Sequence, residues 1–181
     1  MPRLPLIDRT DASPDRRAIL DEVHGAFGTV PNMFRAVANS PAALRSMWAA
    51  FGALGAGSIP AKLGEQIAVA VADRNRCHYC LAAHTALGRK AGASAEEMAR
   101  AQAGESNDPA TAEALRFALK LVEQRGQVDT ADVQRLRAQG FDDGQVMEIL
   151  AHVALNLFTN YTNVAFDVPV DFPEVALLRA A

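Results

Sequence analysis

The chain is poor in the residues that build sheets. Aromatics account for 6% of its 181 residues, whereas alanine, the strongest helix former, occurs 36 times. It lacks a basic surplus. A net charge of −3 and a pI near 5.8 argue against a nucleic-acid partner, which draws on clustered Lys and Arg. No apolar run approaches the roughly 18 residues that span a bilayer. Stretches such as Ile67 to Ala72 are far shorter. Near the start, Arg3 is followed by Pro5, Asp8 and Arg9, which interrupts any signal-peptide core. Only two cysteines are present, Cys77 and Cys80, and thiols three residues apart cannot staple a fold. Disorder is excluded as well, because half of the residues are apolar and 22% are charged. A soluble cytoplasmic protein is expected, with no membrane or nucleic acid as partner.

What is present is the punctuation of helices. Ser13-Pro14, Ser40-Pro41 and Asp108-Pro109 each join an N-cap residue to a proline at the first helical position. Ser94 with Glu97, and Asp142 with Gln145, have capping-box spacing. Apolar residues recur at three and four, as in Leu115, Ala118, Leu119 and Val122, or Val146, Ile149, Leu150, Val153 and Leu157. These signals predict helices over 14–26, 32–38, 41–55, 60–75, 77–91, 95–102, 109–125, 130–139 and 143–163. The expectation is a single all-α domain over 1–181, with a core over about 15–163. Residues 1–12 and 164–181 are dotted with proline and lack helical period, apart from a turn predicted at 174–180. They read as extended arms that pack on their own core or reach to another subunit. The helix over 143–163 is apolar nearly all round and must be buried on most sides.

The chemistry concentrates in Arg76-Cys77-His78-Tyr79-Cys80-Leu81-Ala82-Ala83-His84, read as the start of a helix after a corner at 75–76. Unpaired N–H groups and the positive end of the macrodipole favour an anion there, and the thiolate is the reactive form of cysteine. Arg74 and Arg76 would add to this if they point inward. His84 lies four residues beyond Cys80, one turn along the same face. It lies about two turns, or roughly 10 Å, from Cys77. His84 is therefore the candidate base for Cys80. Glu65 precedes the corner by about 15 Å of helix, and His84 follows it by about 12 Å. An antiparallel helical hairpin would bring the two to neighbouring rungs, with the carboxylate orienting the imidazole.

Glu65, eleven residues, then Cys77-x-x-Cys80-x-x-x-His84 resembles the active-site pattern of alkylhydroperoxidase D-like proteins of the carboxymuconolactone decarboxylase-like superfamily. Gly28-Thr29-Val30-Pro31-Asn32, Ser40-Pro41 and Met47 resemble the approach segment of its peroxidase-related members. Asp132-Val133, Gly140-Phe141, His152, Asn156 and Asn160 resemble their C-terminal half. The resemblance covers about residues 15 to 173. It implies an all-helical fold and a thiol peroxidase. Cys80 would attack a hydroperoxide and become a sulfenic acid, and Cys77 would condense with it to a disulfide. Glu65 and His84 would relay protons, and an external dithiol, a lipoyl group in founding members, would reset the pair. Related proteins form dimers, trimers and hexamers, so a homo-oligomer, trimer or hexamer, is expected. No cofactor or metal is implied. The founding members carry histidine directly before the second cysteine, where this chain has Tyr79, with a histidine one place earlier at His78. Tyrosine, with an ordinary pKa near about 10, carries protons poorly at neutral pH but still hydrogen-bonds, so a shorter or weaker relay is expected.

Plainer readings stand beside these. Cys77, Cys80 and His84 supply three ligands where structural zinc takes four, and Glu65, His78, His24 or His152 would have to complete the set. Covalent haem needs histidine directly after the second cysteine, and that residue is Leu81. Buried inert thiols, a redox-sensing helical module and a decarboxylase-type lyase are the other readings. The lyase branch does not depend on a CxxC pair. His78 reads as exposed or at a subunit contact. His152, Asn156, Asn160 and Asn163 form a polar stripe on an apolar helix, read first as core or interface hydrogen bonding and second as placing His152 in the pocket. Tyr79, His78 and His152 are the candidate pocket residues. Phe34, Met47, Trp48 and Phe51 read as core.

Overall fold

The computed structural model describes residues 1–178. Nine helices occur among them: α1 (Pro14–Phe27), α2 (Asn32–Val37), α3 (Pro41–Gly55), α4 (Ala61–Arg74), α5 (His78–Lys90), α6 (Ala95–Gln102), α7 (Pro109–Glu123), α8 (Thr130–Ala138) and α9 (Asp143–Ala165). Every segment predicted as helical is helical, with ends shifted by at most two residues. No strand is present among the described residues.

The caps explain most of the helix starts. Ser94, Asp129 and Asp142 each close a two-way capping box, and Ser40 and Asp108 accept the N–H three residues on. Ser13 does not cap α1, because its hydroxyl hydrogen-bonds to the Asp15 carboxylate instead.

The central element is α4, which packs against α5, α6, α7 and α9. From Gln66 to Ala72 it is buried on all sides. Alanines at 68, 70 and 72, alternating with Ile67, Val69 and Val71, let neighbouring helices approach from every direction. Helix α9 behaves differently from its sequence expectation. It buries one side against α4 and α7 but leaves Met147, Leu150, Phe158, Tyr161 and Val164 exposed. No helix among the described residues is long and apolar enough to cross a membrane.

Both arms return to the chain's own helices. The Arg3 N–H bonds Phe166 O, and Asn39 Nδ2 reaches Pro5 O at 2.7 Å. In the C-terminal arm, Asp171 accepts Asn32 N–H at 2.7 Å, Ala176 O accepts from Gln102 and the Leu178 N–H reaches Asp73. Residues 174–177 of the turn predicted at 174–180 are irregular, and its last two lie outside the described residues.

Candidate active site

Three residues separate α4 from α5, and Arg76 turns the corner in the left-handed region at φ 58. The Cys77 N–H reaches back to Ala72 O and the Arg76 N–H to Asp73 O. This is the double bond pattern that closes a helix around a left-handed residue, a place usually held by glycine. An arginine there is strained by about 1–2 kcal/mol, and the buried pair of helices on either side holds it. Arg74 pairs with Glu123 across to α7, and Arg76 is exposed.

The corner delivers Cys77 as the N-cap of α5, where its sulfur accepts the Cys80 N–H at 3.2 Å. Both cysteines are free thiols and both are 1% exposed. The two thiols act on each other's titration, Cys80 raising Cys77 and Cys77 lowering Cys80. A further contact comes from α9, where Asn163 Nδ2 donates to Cys80 Sγ at 3.2 Å. Asn160 acts on the same sulfur, and its own carbonyl oxygen is held by Asn75 at 2.9 Å.

One turn along α5, His84 Nδ1 lies 2.7 Å from Glu65 Oε2 on α4. Helices α4 and α5 thus run back along each other with the expected rungs in register. Burial works against a charged imidazole, but the Glu65 carboxylate and the neighbouring Cys80 outweigh it and raise the His84 pKa. The two thiols are driven apart. The hydrogen bond to Cys80 and burial push Cys77 far up. Burial pushes Cys80 up too, but the Cys77 thiol, His84, Asn163 and Asn160 bring it down to about 7. An imidazolium beside a desolvated thiolate, with a carboxylate behind it, can generate a nucleophile at neutral pH.

Two cavities meet at His84. A narrow slot of about 30 Å³ reaches Cys80 between Phe27, Phe34, Phe51, Tyr79 and Phe172, and its walls are apolar. A wider chamber of about 220 Å³ lies among α3, α4, α5 and α9 and touches Glu65, His84, His152 and Asn156 but neither cysteine. Larger surface clefts, such as one of about 420 Å³ beside Lys62, Glu97 and Asp108, share no residue with the thiols.

Of the residues singled out in the sequence, Glu65, Cys77, Cys80 and His84 converge. Tyr79 is buried at 4% exposure and forms one wall of the slot. Its hydroxyl accepts Met33 N–H at 3.2 Å and meets Asp171, while Phe172 packs edge-on against the ring. Burial and Asp171 push its pKa up, so it stays neutral. His78 is exposed, beside Glu174 in a surface hollow away from the thiols. His152 lines the chamber, where burial lowers its pKa. Phe34 and Phe51 face the slot as well as the core, while Met47 is wholly buried and Trp48 packs on Phe27 and Phe34. The thiol contact of Asn163 was missed. Its signal was the spacing of 156, 160 and 163 along one line of an apolar helix, which reads first as core or interface hydrogen bonding. Among the described residues no cluster of three His, Cys, Asp or Glu side chains is arranged to hold a metal ion.

The model of the carboxymuconolactone decarboxylase family matches residues 41–124, the stretch that carries Glu65, both cysteines and His84. No curated protein matches the sequence. Several solved structures do. A peroxidase-related protein from Ralstonia eutropha JMP134, named an alkylhydroperoxidase AhpD core, is 28% identical over 94% of this chain and 92% of its own, with a TM-score of 0.82. A peroxidase-related protein from Silicibacter sp. TM1040 is 26% identical over 92% of this chain and 88% of its own, with a TM-score of 0.80. The debrominase Bmp8 shares the fold, at 22% identity, 93% and 91% coverage and a TM-score of 0.79.

Proposed function

We propose that this chain, an alkylhydroperoxidase D-like member of the carboxymuconolactone decarboxylase superfamily, is a thiol-dependent peroxidase acting on organic hydroperoxides. One observation carries the reading. The buried Cys80 sulfur lines an apolar slot and accepts Asn163 Nδ2 at 3.2 Å, one turn from the Glu65-bonded His84, and Cys77, His84, Asn163 and Asn160 lower its pKa.

The cycle follows from the contacts. The Cys80 thiolate attacks one peroxide oxygen, the O–O bond breaks, and its electron pair leaves with the alkoxide. His84, whose charged form the Glu65 carboxylate at its Nδ1 favours, returns the thiol's proton to that alkoxide, so an alcohol departs. The sulfenic acid formed on Cys80 already lies beside the Cys77 sulfur. Attack by Cys77 forms the S–S bond and breaks the S–O bond, and water leaves with the Cys77 proton. An external dithiol, of lipoyl type, returns two electrons and two protons. The apolar walls favour an organic peroxide over hydrogen peroxide, since nothing in the slot except Cys80, His84 and the Tyr79 hydroxyl is polar.

A free dithiol of this kind belongs in a reducing cytoplasm, where it would serve an antioxidant role. The exposed apolar face of α9 supports a homo-oligomer, a trimer or hexamer. Steady-state consumption of cumene hydroperoxide and hydrogen peroxide, with dihydrolipoamide as donor, tests the reading. Saturable turnover with preference for cumene hydroperoxide is expected. Reversible disulfide formation without turnover would point instead to a redox-sensing module.

A further inference from the structure

The mechanism uses the narrow slot and leaves the wider chamber unexplained. That chamber measures about 220 Å³. A cavity of about 150 Å³ is enough to hold benzene, so this one takes a substituted ring. Phe51, Leu54, Ile59 and Leu155 give it apolar walls. Its polar lining is Glu65, His84, His152, Asn156 and Thr159. Asn156 is 5% exposed and spends its Nδ2 on His152 O at 2.9 Å, and its buried Oδ1 has no partner within the chain. His152 Nε2 is likewise buried and unpartnered. Glu65, bonded to His84, is part of the same lining.

The backbone is cut to fit this arrangement. A Cβ on Gly64 would come within 3.1 Å of the His152 ring, so the bare α-carbon lets that imidazole lie a few tenths of an ångström closer to α4. Glu148, one turn earlier on α9, accepts the N–H groups of Ser58 and Ile59 at 2.8 and 3.0 Å and fixes the loop that brings Ile59 to the wall. An unpartnered amide oxygen calls for a donor, and the oxygen of a hydroxyl that donates to it can accept from the Nε2–H tautomer of His152.

We propose that the chamber, which adjoins the thiol slot at Phe51 and His84 but contains neither cysteine, is a ligand site for a small apolar molecule bearing one hydroxyl: an alcohol or a phenol. The hydroxyl donates to Asn156 Oδ1 and meets His152 Nε2, while the ring or chain fills the apolar end. Binding involves no thiol, so it stands whether or not the protein is a peroxidase. The alcohol left when an organic hydroperoxide loses one oxygen belongs to the same class, and only that link rests on the peroxidase reading.

The test titrates benzyl alcohol, and toluene as its hydroxyl-free counterpart, into the full chain kept reduced with a phosphine, with no peroxide present. Binding is followed by calorimetry and by the imidazole NMR signals of the four histidines. Benzyl alcohol is expected to bind saturably and about tenfold more tightly than toluene, because toluene leaves the buried amide oxygen unpaired. The signals of His84 and His152 should shift, while those of His24 and His78 stay. His152 touches the chamber but not the slot, so its response identifies the site. Asn156→Leu should erase the preference for the hydroxyl. Where that variant does not fold, the pair of ligands on the unaltered protein still decides. Equal binding of the two ligands, no saturable binding, or a still His152 signal would overturn the proposal. A chain inactive toward peroxide that still binds benzyl alcohol would fail the peroxidase reading and keep this one.

Discussion

His84 Nδ1 stands 2.7 Å from Glu65 Oε2, which leaves only Nε2 of that ring to serve Cys80. The carboxylate thereby fixes both the orientation of the imidazole and its preference for the charged form. The effect should be visible in the thiol. Titrated by its ultraviolet absorbance, the Cys80 thiolate is expected to appear with a midpoint of about 7. Its rate with peroxide should rise with pH across the same range, since the thiolate is the attacking form. Glu65→Gln and His84→Ala remove the charge that favours it, so the midpoint and the rate profile should both move up by about one pH unit or more. An unmoved profile would detach the pair from the thiol.

Asn163 offers a second handle. Its amide donates to Cys80 Sγ at 3.2 Å. A hydrogen bond to a charged acceptor contributes about 1.5–3 kcal/mol, so Asn163→Ala should raise the Cys80 midpoint by about one pH unit or more. The helix content of the variant, read by circular dichroism, should be unchanged.

Tyr79 gives the opposite expectation. Its hydroxyl joins Met33 at the start of α2 to Asp171 in the C-terminal arm, and it is held neutral. Tyr79→Phe should therefore leave the first oxidation of Cys80 nearly unchanged. It should lower stability by about 1 kcal/mol, measured by denaturant unfolding. Loss of the first oxidation step would make Tyr79 part of the proton path.

The face of α9 that carries Met147, Leu150, Phe158 and Tyr161 is exposed in the isolated chain. Sedimentation at micromolar concentration is expected to give a mass above that of one chain, and Phe158→Glu to lower it. A sharp monomer before substitution would remove the assembly from the account.

Helix positions were legible because caps are local. Ser94 with Glu97, and Asp142 with Gln145, fix their helix starts through bonds three residues long. Glu65 and His84 were legible because one short corner makes a register readable by counting. Asn163 was not, because it reaches Cys80 from 83 residues away and nothing local says which side of α9 faces the thiols. The same holds for the slot. Phe172 meets Tyr79 where Asp171 anchors the arm on Asn32, a bond spanning 139 residues. The exposed side of α9 misled in a different way. Apolar residues all round a helix show that it wants cover but not whether the cover belongs to the same chain.

The central claim is that Cys80 attacks and Cys77 resolves. The direct measurement is one turnover of the reduced single-cysteine variants with cumene hydroperoxide, followed by a dimedone-type probe and intact mass. Cys77→Ser should consume one equivalent of peroxide and carry the probe on Cys80. Cys80→Ser should consume none and remain unlabelled. Labelling of Cys77 in the Cys80→Ser protein, with an inert Cys77→Ser, would contradict the account and move the Glu65–His84 pair away from the reacting sulfur.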